Sequence, residues 1–281
     1  MNQKLLAIYG LKFNPFSPEL PIEALKLSSK VDSFCWRIEH SLMREGGFAL
    51  ISGHPGTGKS VVLRLLAERL SRVRELTVGA LTHPSSRVGD FYREMAELFN
   101  APLRPHNRWA SFKALRERFF LHVDSIMMRP VLLIDEAQEL QSSLLAELRL
   151  LAATQFDSRC VLSVVLAGDT RLTDRLRQDD LLPLGSRIRM RLAMDYATSE
   201  ELRTCLTHLL EAAGNPTLMT EALVNTLADH AAGNYRALTN MAGHLLMIAV
   251  ERKLPQLDEK LYFEVFTPDT RKPLRRAGAR P

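Results

Sequence analysis

The chain has 281 residues, 46% of them apolar and 25% charged, with a formal net charge of +5, which is room for one α/β domain and a smaller partner. No apolar run approaches the roughly 20 residues that a membrane-spanning helix needs, and the start of the chain is too short and too polar for a secretory signal, so no membrane insertion is expected. Cys35, Cys160 and Cys205 are few and far apart, which indicates neither a disulfide framework nor a zinc site and makes the cytoplasm the expected compartment.

Residues 1–30 contain Asn14-Pro15-Phe16-Ser17-Pro18 and Leu20-Pro21 and are predicted as an extended, proline-punctuated N-terminal arm. A helix is predicted from Val31 to Arg44, stopped by Gly46-Gly47. Phe48-Ala49-Leu50-Ile51 then suits a buried strand, and Val61 to Leu70 has the apolar spacing of an amphipathic helix. Between them Gly53-His54-Pro55-Gly56-Thr57-Gly58-Lys59-Ser60 reads G-x-x-x-x-G-K-S, the phosphate-binding P-loop in the context it requires. Residues Gly53 to Val61 would cradle phosphate oxygens at a helix N-terminus, with Lys59 on the β- and γ-phosphates and the Ser60 hydroxyl on magnesium.

A second strand is predicted near Leu76 to Leu81. A third, Val131-Leu132-Leu133-Ile134, follows Arg129-Pro130 and ends in Asp135-Glu136. Acids at the end of such a strand suit the other half of a nucleotide site: Asp135 holds magnesium through water, and Glu136 orients and deprotonates the attacking water. The same two acids also suit a helix start. The strand Val161 to Ala167 leads into Gly168-Asp169-Thr170, where Asp169 and Thr170 either sense the γ-phosphate or make a plain turn. A last core strand is predicted from Ile188 to Ala193. Strands alternating with helices predict an α/β fold with a five-stranded parallel sheet between helices.

From Thr198 the pattern is helical throughout, over Ser199–Ala213, Thr220–Ala232, Arg236–Glu251 and a short stretch near Asp258–Val265. The predicted domains are the arm (1–30), the nucleotide-binding core (31–196), an all-helical lid (197–265) and a tail (266–281). Arg271, Lys272, Arg275, Arg276 and Arg280 carry the whole charge excess; without them basic and acidic residues balance at 32 each. Such a tail is expected to be disordered, and it suits binding to nucleic acid or an acidic partner as well as a solvated end without a role.

The P-loop, Asp135-Glu136, the polar strand end at Asp169 and the helical lid together resemble the AAA+ ATPases. That resemblance implies ATP and Mg2+ as cofactors, ATP hydrolysis and a homo-oligomer, ring or filament. In this superfamily an arginine just before the last core strand often acts on a neighbouring subunit's nucleotide. In Leu184-Gly185-Ser186-Arg187-Ile188-Arg189 the first choice is Arg187 and the second Arg189. Gly233-Asn234-Tyr235-Arg236 looks like the second sensor, with Arg236 reaching the γ-phosphate of its own chain. Each of these arginines also fits a surface salt bridge.

A finer resemblance is to the ExeA-type ATPases. It rests on Tyr9-Gly10-Leu11, Asn14-Pro15-Phe16, Glu45-Gly46-Gly47-Phe48-Ala49-Leu50, Asp135-Glu136-Ala137-Gln138 and the Gly-Asn-Tyr-Arg at 233–236, and it covers nearly the whole chain. Without the membrane span and peptidoglycan-binding region of the ExeA secretion protein, the module resembles the helper ATPases encoded beside transposases, functionally similar to TnsC, IstB and MuB. The resemblance implies ATP-driven assembly on double-stranded DNA, largely independent of sequence, and recruitment of a transposase. The alternatives are an assembly ATPase of a secretion or envelope system and a signalling NTPase switch. In DNA-binding relatives the insertion before the helix that leads to Asp135 faces the central pore. That makes Arg108 and Lys113 candidate phosphate contacts, Trp109 a candidate wedge and Arg87 a further candidate. The same residues also fit an amphipathic helix with a solvated basic face and Trp109 in the core.

Overall fold

The computed structural model describes residues 2–81, 84, 87–102, 107–154 and 158–266, apart from the side chains of residues 2–4 and 43. The sheet forms where apolar runs are uninterrupted. Its strands are β1 (Gly47–Gly53), β2 (Leu76–Leu81), β3 (Arg129–Ile134), β4 (Ser163–Gly168) and β5 (Ile188–Met194). All neighbours pair in parallel, in the order β2-β3-β4-β1-β5. Every residue of β4, and every residue of β3 after Arg129, is buried, as expected for inner strands covered on both faces. β5 lies at an edge and alternates instead: Ile188 and Leu192 are buried while Arg189 and Arg191 are exposed.

Helices α1 (Asn2–Tyr9), α2 (Ser29–Arg37), α3 (Lys59–Ser71), α4 (Val88–Phe99), α5 (Arg108–Asp124), α6 (Ser142–Ala152), α7 (Thr170–Arg175) and α8 (Leu182–Gly185) precede or interleave the strands. α9 (Ser199–Ala213), α10 (Glu221–His230), α11 (Tyr235–Arg252) and α12 (Glu259–Phe266) follow them. The chain divides into a sheet unit, Leu27–Tyr196, and a helical unit built from both ends of the chain, up to Lys26 and from Ala197 on.

The sheet unit's core packs Phe48, Leu132, Ile134 and Leu166 with Phe91 and Met95 of α4, Phe119 of α5 and Leu148 of α6, all 2% exposed or less. Each such side chain contributes about 1.5–3 kcal/mol by leaving water. In the ladder Ile134 lies beside Leu166, Ser52 beside Gly168 and Gly53 beside Met194. The loops after β1, β3 and β4 therefore leave the sheet side by side at its carboxyl edge, where open α/β sheets place ligands.

The helical unit has well-formed helix starts. Thr198 and Glu201 form a reciprocal capping box on α9, and the Asn234 side chain accepts hydrogen bonds from the N–H groups of Arg236 and Ala237 at the start of α11. The predicted extended arm is corrected here. Residues 2–9 form α1, and Leu5, Tyr9, Leu11 and Phe16 are buried in the helical unit's core with Leu206, Leu210 and Leu245. The Tyr9 hydroxyl donates to the Leu254 carbonyl at 2.9 Å, Lys12 N–H donates to Ala213 O at 2.8 Å, and the Asn215 amide donates to Tyr9 O at 2.9 Å. Leu5 and Tyr9 sit four residues apart on one helical face, and burial of that face stabilises a helix too short to persist alone. The prolines shape only the segment after Gly10, whose φ of +63° turns the chain.

The predicted helix over 31–44 begins at Ser29 and changes to a π-helical turn at Ile38–Leu42 before Gly46, at φ +74°, stops it. The basic tail from Arg271 lies outside the described residues. No helix among the described residues is long and apolar enough to cross a membrane.

The docked N-terminus should be measurable as stability. Tyr9→Phe removes one hydrogen bond and should cost about 1 kcal/mol. Phe16→Ala should cost about 3 kcal/mol through lost burial and a cavity. Urea unfolding followed by circular dichroism tests both, and wild-type midpoints would mean that the segment is not part of the helical core.

Candidate ATP-hydrolysis site

The P-loop begins with an approach that leaves no space for a side chain. A Cβ on Gly53 would stand 2.2 Å from the Met194 carbonyl and 3.0 Å from Thr57 Oγ1, so this glycine is set by the closeness of β5. Gly56 and Gly58 have φ of +81° and +99°, the left-handed region that glycine enters without strain. The Thr57 hydroxyl donates to His54 O at 2.8 Å and tightens the turn. The His54 ring stacks on Tyr196 with centroids 5.0 Å apart.

Lys59 opens α3 and is only 5% exposed; its ammonium donates to Gly53 O at 2.8 Å and His54 O at 3.0 Å. A cation, a glycine turn and the first N–H groups of a helix thus meet in one place, which suits an anionic phosphate. Ser60 and Val61 are exposed on the first turn of α3.

At the end of β3, Asp135 is half-buried and its Oδ1 accepts from the Glu136 N–H at 2.9 Å. Glu136 itself has φ +48° and ψ +40°, a conformation uncommon for a residue with a Cβ and one that concentrates at functional sites. Its carboxylate is exposed and accepts a hydrogen bond from the Gln138 amide. Magnesium takes oxygen donors and keeps several waters, and the Ser60 hydroxyl with the Asp135 carboxylate is a donor set of that kind.

At the end of β4, Asp169 caps α7: Oδ1 accepts from Arg171 N–H at 3.0 Å, and Oδ2 pairs with Arg171 Nε at 2.8 Å. Arg171 continues to Glu139 at 2.9 Å, and its hydrogen bond with Asp169 favours the charged guanidinium. The acid expected to sense the γ-phosphate is thus engaged with its own helix and arginine, in the turn that was the other reading; Thr170 is exposed beside it.

Gln138 had no assigned role in the sequence. It is 8% exposed and joins two strand ends, donating to Glu136 and accepting from Asp169 N–H at 3.2 Å. Its place three residues after Asp135 was visible as part of a motif, but its partners depend on the adjacency of β3 and β4.

Arg187 lies beyond α8, where its guanidinium donates to Pro183 O, and Arg189 pairs with Glu45 at 2.6 Å. Arg187 directly precedes β5 and Arg189 is its second residue, on either side of Ile188, which pairs with Phe48. That is the opposite edge of the sheet from the P-loop, about 17 Å away along a parallel strand. Arg236 is exposed in the first turn of α11, in the helical unit.

The candidate DNA contacts separate into different environments. Arg108 is committed to a buried carboxylate: NH2 meets Glu147 Oε2 at 2.5 Å, with Glu147 only 4% exposed and also accepting from the Tyr92 hydroxyl. Burial, then the hydrogen bond to Glu147, pushes the Tyr92 phenol pKa upward. Trp109 is 69% exposed, which excludes a core role, and stacks on Phe112 with centroids 5.6 Å apart. Arg116 lies over the same Phe112 ring at 5.4 Å. Lys113 is exposed and stands 3.9 Å from Glu117, and Arg87 is exposed just before α4.

Residues 42–176 match the family model described as an AAA domain, which marks the site as that of a nucleotide-hydrolysing ATPase. General secretion pathway protein A of Aeromonas hydrophila is 29% identical over 249 residues, covering 87% of this chain and 44% of that protein. The chain therefore spans less than half of that relative's length. Among solved structures, Cdc6p from Pyrobaculum aerophilum is similar with a TM-score of 0.70 at 18% identity, over 86% of this chain and 67% of its own. The Aeropyrum pernix ORC1 protein, solved in complex with DNA, is similar with a TM-score of 0.66 at 16% identity, over 89% of this chain and 67% of its own. These structural likenesses concern the fold.

Lys59→Ala should weaken ATP binding tenfold or more, because a charge-assisted contact is worth about 1.5–3 kcal/mol. Titration calorimetry reads this directly, and unchanged affinity would remove Lys59 from the phosphates. Glu136→Gln keeps the shape but loses the base, so it should bind ATP without hydrolysing it; wild-type turnover would end its assignment as base.

Proposed function

We propose that this AAA+ ATPase assembles with ATP into a homo-oligomer on duplex DNA and recruits or activates a DNA-processing partner, a transposase. The P-loop holds the triphosphate, with Lys59 on its outer phosphates. Ser60 and Asp135 would hold magnesium, which neutralises phosphate charge when bound. Glu136 takes the proton from the attacking water. Arg187 comes from a neighbouring copy and stabilises charge that develops on the γ-phosphate, with Arg189 the second choice.

The observation that carries the oligomer is the polarity of the sheet. Arg187 lies just before β5, at the edge opposite its own P-loop, so within the sheet unit it does not reach its own nucleotide, whereas a second copy can present it. DNA contact is supported by the outward face of α5. There an exposed Trp109 and Lys113 stand with half-buried Phe112 and Arg116 and combine aromatic surface with charge, and Arg87 adds a further cation. Arg108 belongs to this set only through its exposed edge, since Glu147 offsets its charge. The three free cysteines suit action in the cytoplasm. A second reading, an assembly ATPase of a secretion system, is favoured by the likeness to general secretion pathway protein A.

Electron microscopy with ATP, with and without duplex DNA, distinguishes the two: DNA-dependent rings or filaments support the first, and DNA-indifferent assemblies the second. Arg187→Ala should bind ATP but lose assembly-dependent hydrolysis. Mixed with Glu136→Gln protein it should regain activity at interfaces that pair an intact arginine with an intact glutamate. Mixed oligomers without recovery would refute action in trans.

For DNA, the affinity should fall with salt by a log–log slope of about −0.9 per phosphate neutralised. Lys113→Ala should flatten the slope by about one unit on two unrelated duplexes. An unaltered slope would take Lys113 out of the DNA path.

A further inference from the structure

We propose that Gln138 is a positioning residue for ATP hydrolysis: its side-chain amide bridges Glu136 and the end of β4 and sets the direction of the Glu136 carboxylate. The inference rests on the reading of Glu136 as the base.

The amide can face only one way. The Asp169 N–H is a donor and requires an acceptor, so Gln138 Oε1 must lie on that side, at 3.2 Å. The Glu136 carboxylate is an acceptor and requires a donor, so Nε2 lies on the other side, as observed. An amide is the group that supplies one of each across this gap.

The surroundings hold that amide in place. Gln138 is buried, and Arg175 NH1 donates to its backbone carbonyl at 2.6 Å while NH2 donates to Ser142 Oγ at 3.1 Å. Gly168 is moulded to it, since a Cβ there would come within 2.7 Å of Gln138 Oε1. Glu136 needs such support because its own backbone sits in the left-handed region and its carboxylate is exposed. An untethered carboxylate would sample several rotamers, and a base aimed at water in only some of them loses rate without losing nucleotide affinity. The bridge also ties the base to α7, so a displacement of α7 would be transmitted to Glu136 through Arg175 and Gln138.

Two substitutions in the full chain separate this role from a purely structural one. Gln138→Met keeps the volume and loses both hydrogen bonds. It should lower kcat about 10- to 100-fold, with KM for ATP within about twofold. Gln138→Glu keeps the shape and the acceptor for Asp169 N–H but sets a second carboxylate against Glu136. It cannot donate to Glu136, so its kcat should fall about as far as that of Gln138→Met, again with KM for ATP within about twofold.

Steady-state ATPase assays with Mg2+, with circular dichroism of each protein, give the outcome. If Gln138→Met does not fold, the isosteric Gln138→Glu carries the test through its kcat at unchanged KM. Wild-type kcat for folded Gln138→Glu, or unchanged or raised kcat for folded Gln138→Met, overturns the proposal. Glu136→Gln is assayed alongside. If it is inactive while the Gln138 variants behave as wild type, only the positioning role fails. If it turns over normally, the reading of Glu136 as base fails first.

Discussion

The position of β1 between β4 and β5 is the constraint on which the site depends. In a parallel sheet every strand delivers its following loop to the same edge, so the order β2-β3-β4-β1-β5 brings the P-loop beside the Asp169 turn and, one strand further, the Asp135-Glu136 turn. The arrangement gathers charge. Asp135, Glu136, Glu139 and Asp169 lie on adjacent turns, and like charges this close cost energy unless each is compensated. Arg171 answers two of them, Asp169 and Glu139. Lys59 and Arg175 meanwhile donate to carbonyls. Asp135 is half-buried and Glu136 exposed at this edge, and carboxylates next to a phosphate site are the donors that a hard divalent cation takes.

Much of this was legible in the sequence, and the reasons are local. β3 and β4 are continuous apolar runs because both faces are covered, and the P-loop is specified by residues adjacent in sequence. What was not legible depended on distant contacts. Residues 1–30 carry prolines that read as an extended arm, while the helix at their start and the turn after it are fixed by Leu254, Ala213 and Asn215, some two hundred positions away. Gly53 read only as part of the phosphate cradle, and the fold adds a steric requirement set by β5. The left-handed backbone of Glu136 has no sequence signal, since Glu is not a residue that seeks that conformation. Asp169 is a different case: its residue type suits sensing a phosphate and capping a helix alike, and here it caps α7 and pairs with Arg171, two positions on.

The same distinction governs the α5 face. Arg108 and Lys113 look equivalent in sequence, both cations near the start of one helix. The fold separates them because Arg108 stands over Glu147 of α6, a carboxylate buried among apolar neighbours. Truncating one partner of such a pair leaves the other uncompensated, which costs more than the pair contributes when whole. Arg108 is itself 61% exposed at the side chain, so water screens part of that cost. Loss of DNA affinity on truncating Arg108 would therefore mix lost phosphate contact with a disturbed α5–α6 packing, and affinity by itself does not resolve the two. Lys113 is exposed and has only an i,i+4 partner at 3.9 Å, so its truncation leaves no buried charge behind. Trp109 is informative in the other direction. A tryptophan that leaves most of its surface in water forgoes much of its hydrophobic stabilisation, and its stack on Phe112, with Arg116 over the same ring, preserves a flat aromatic surface beside cations.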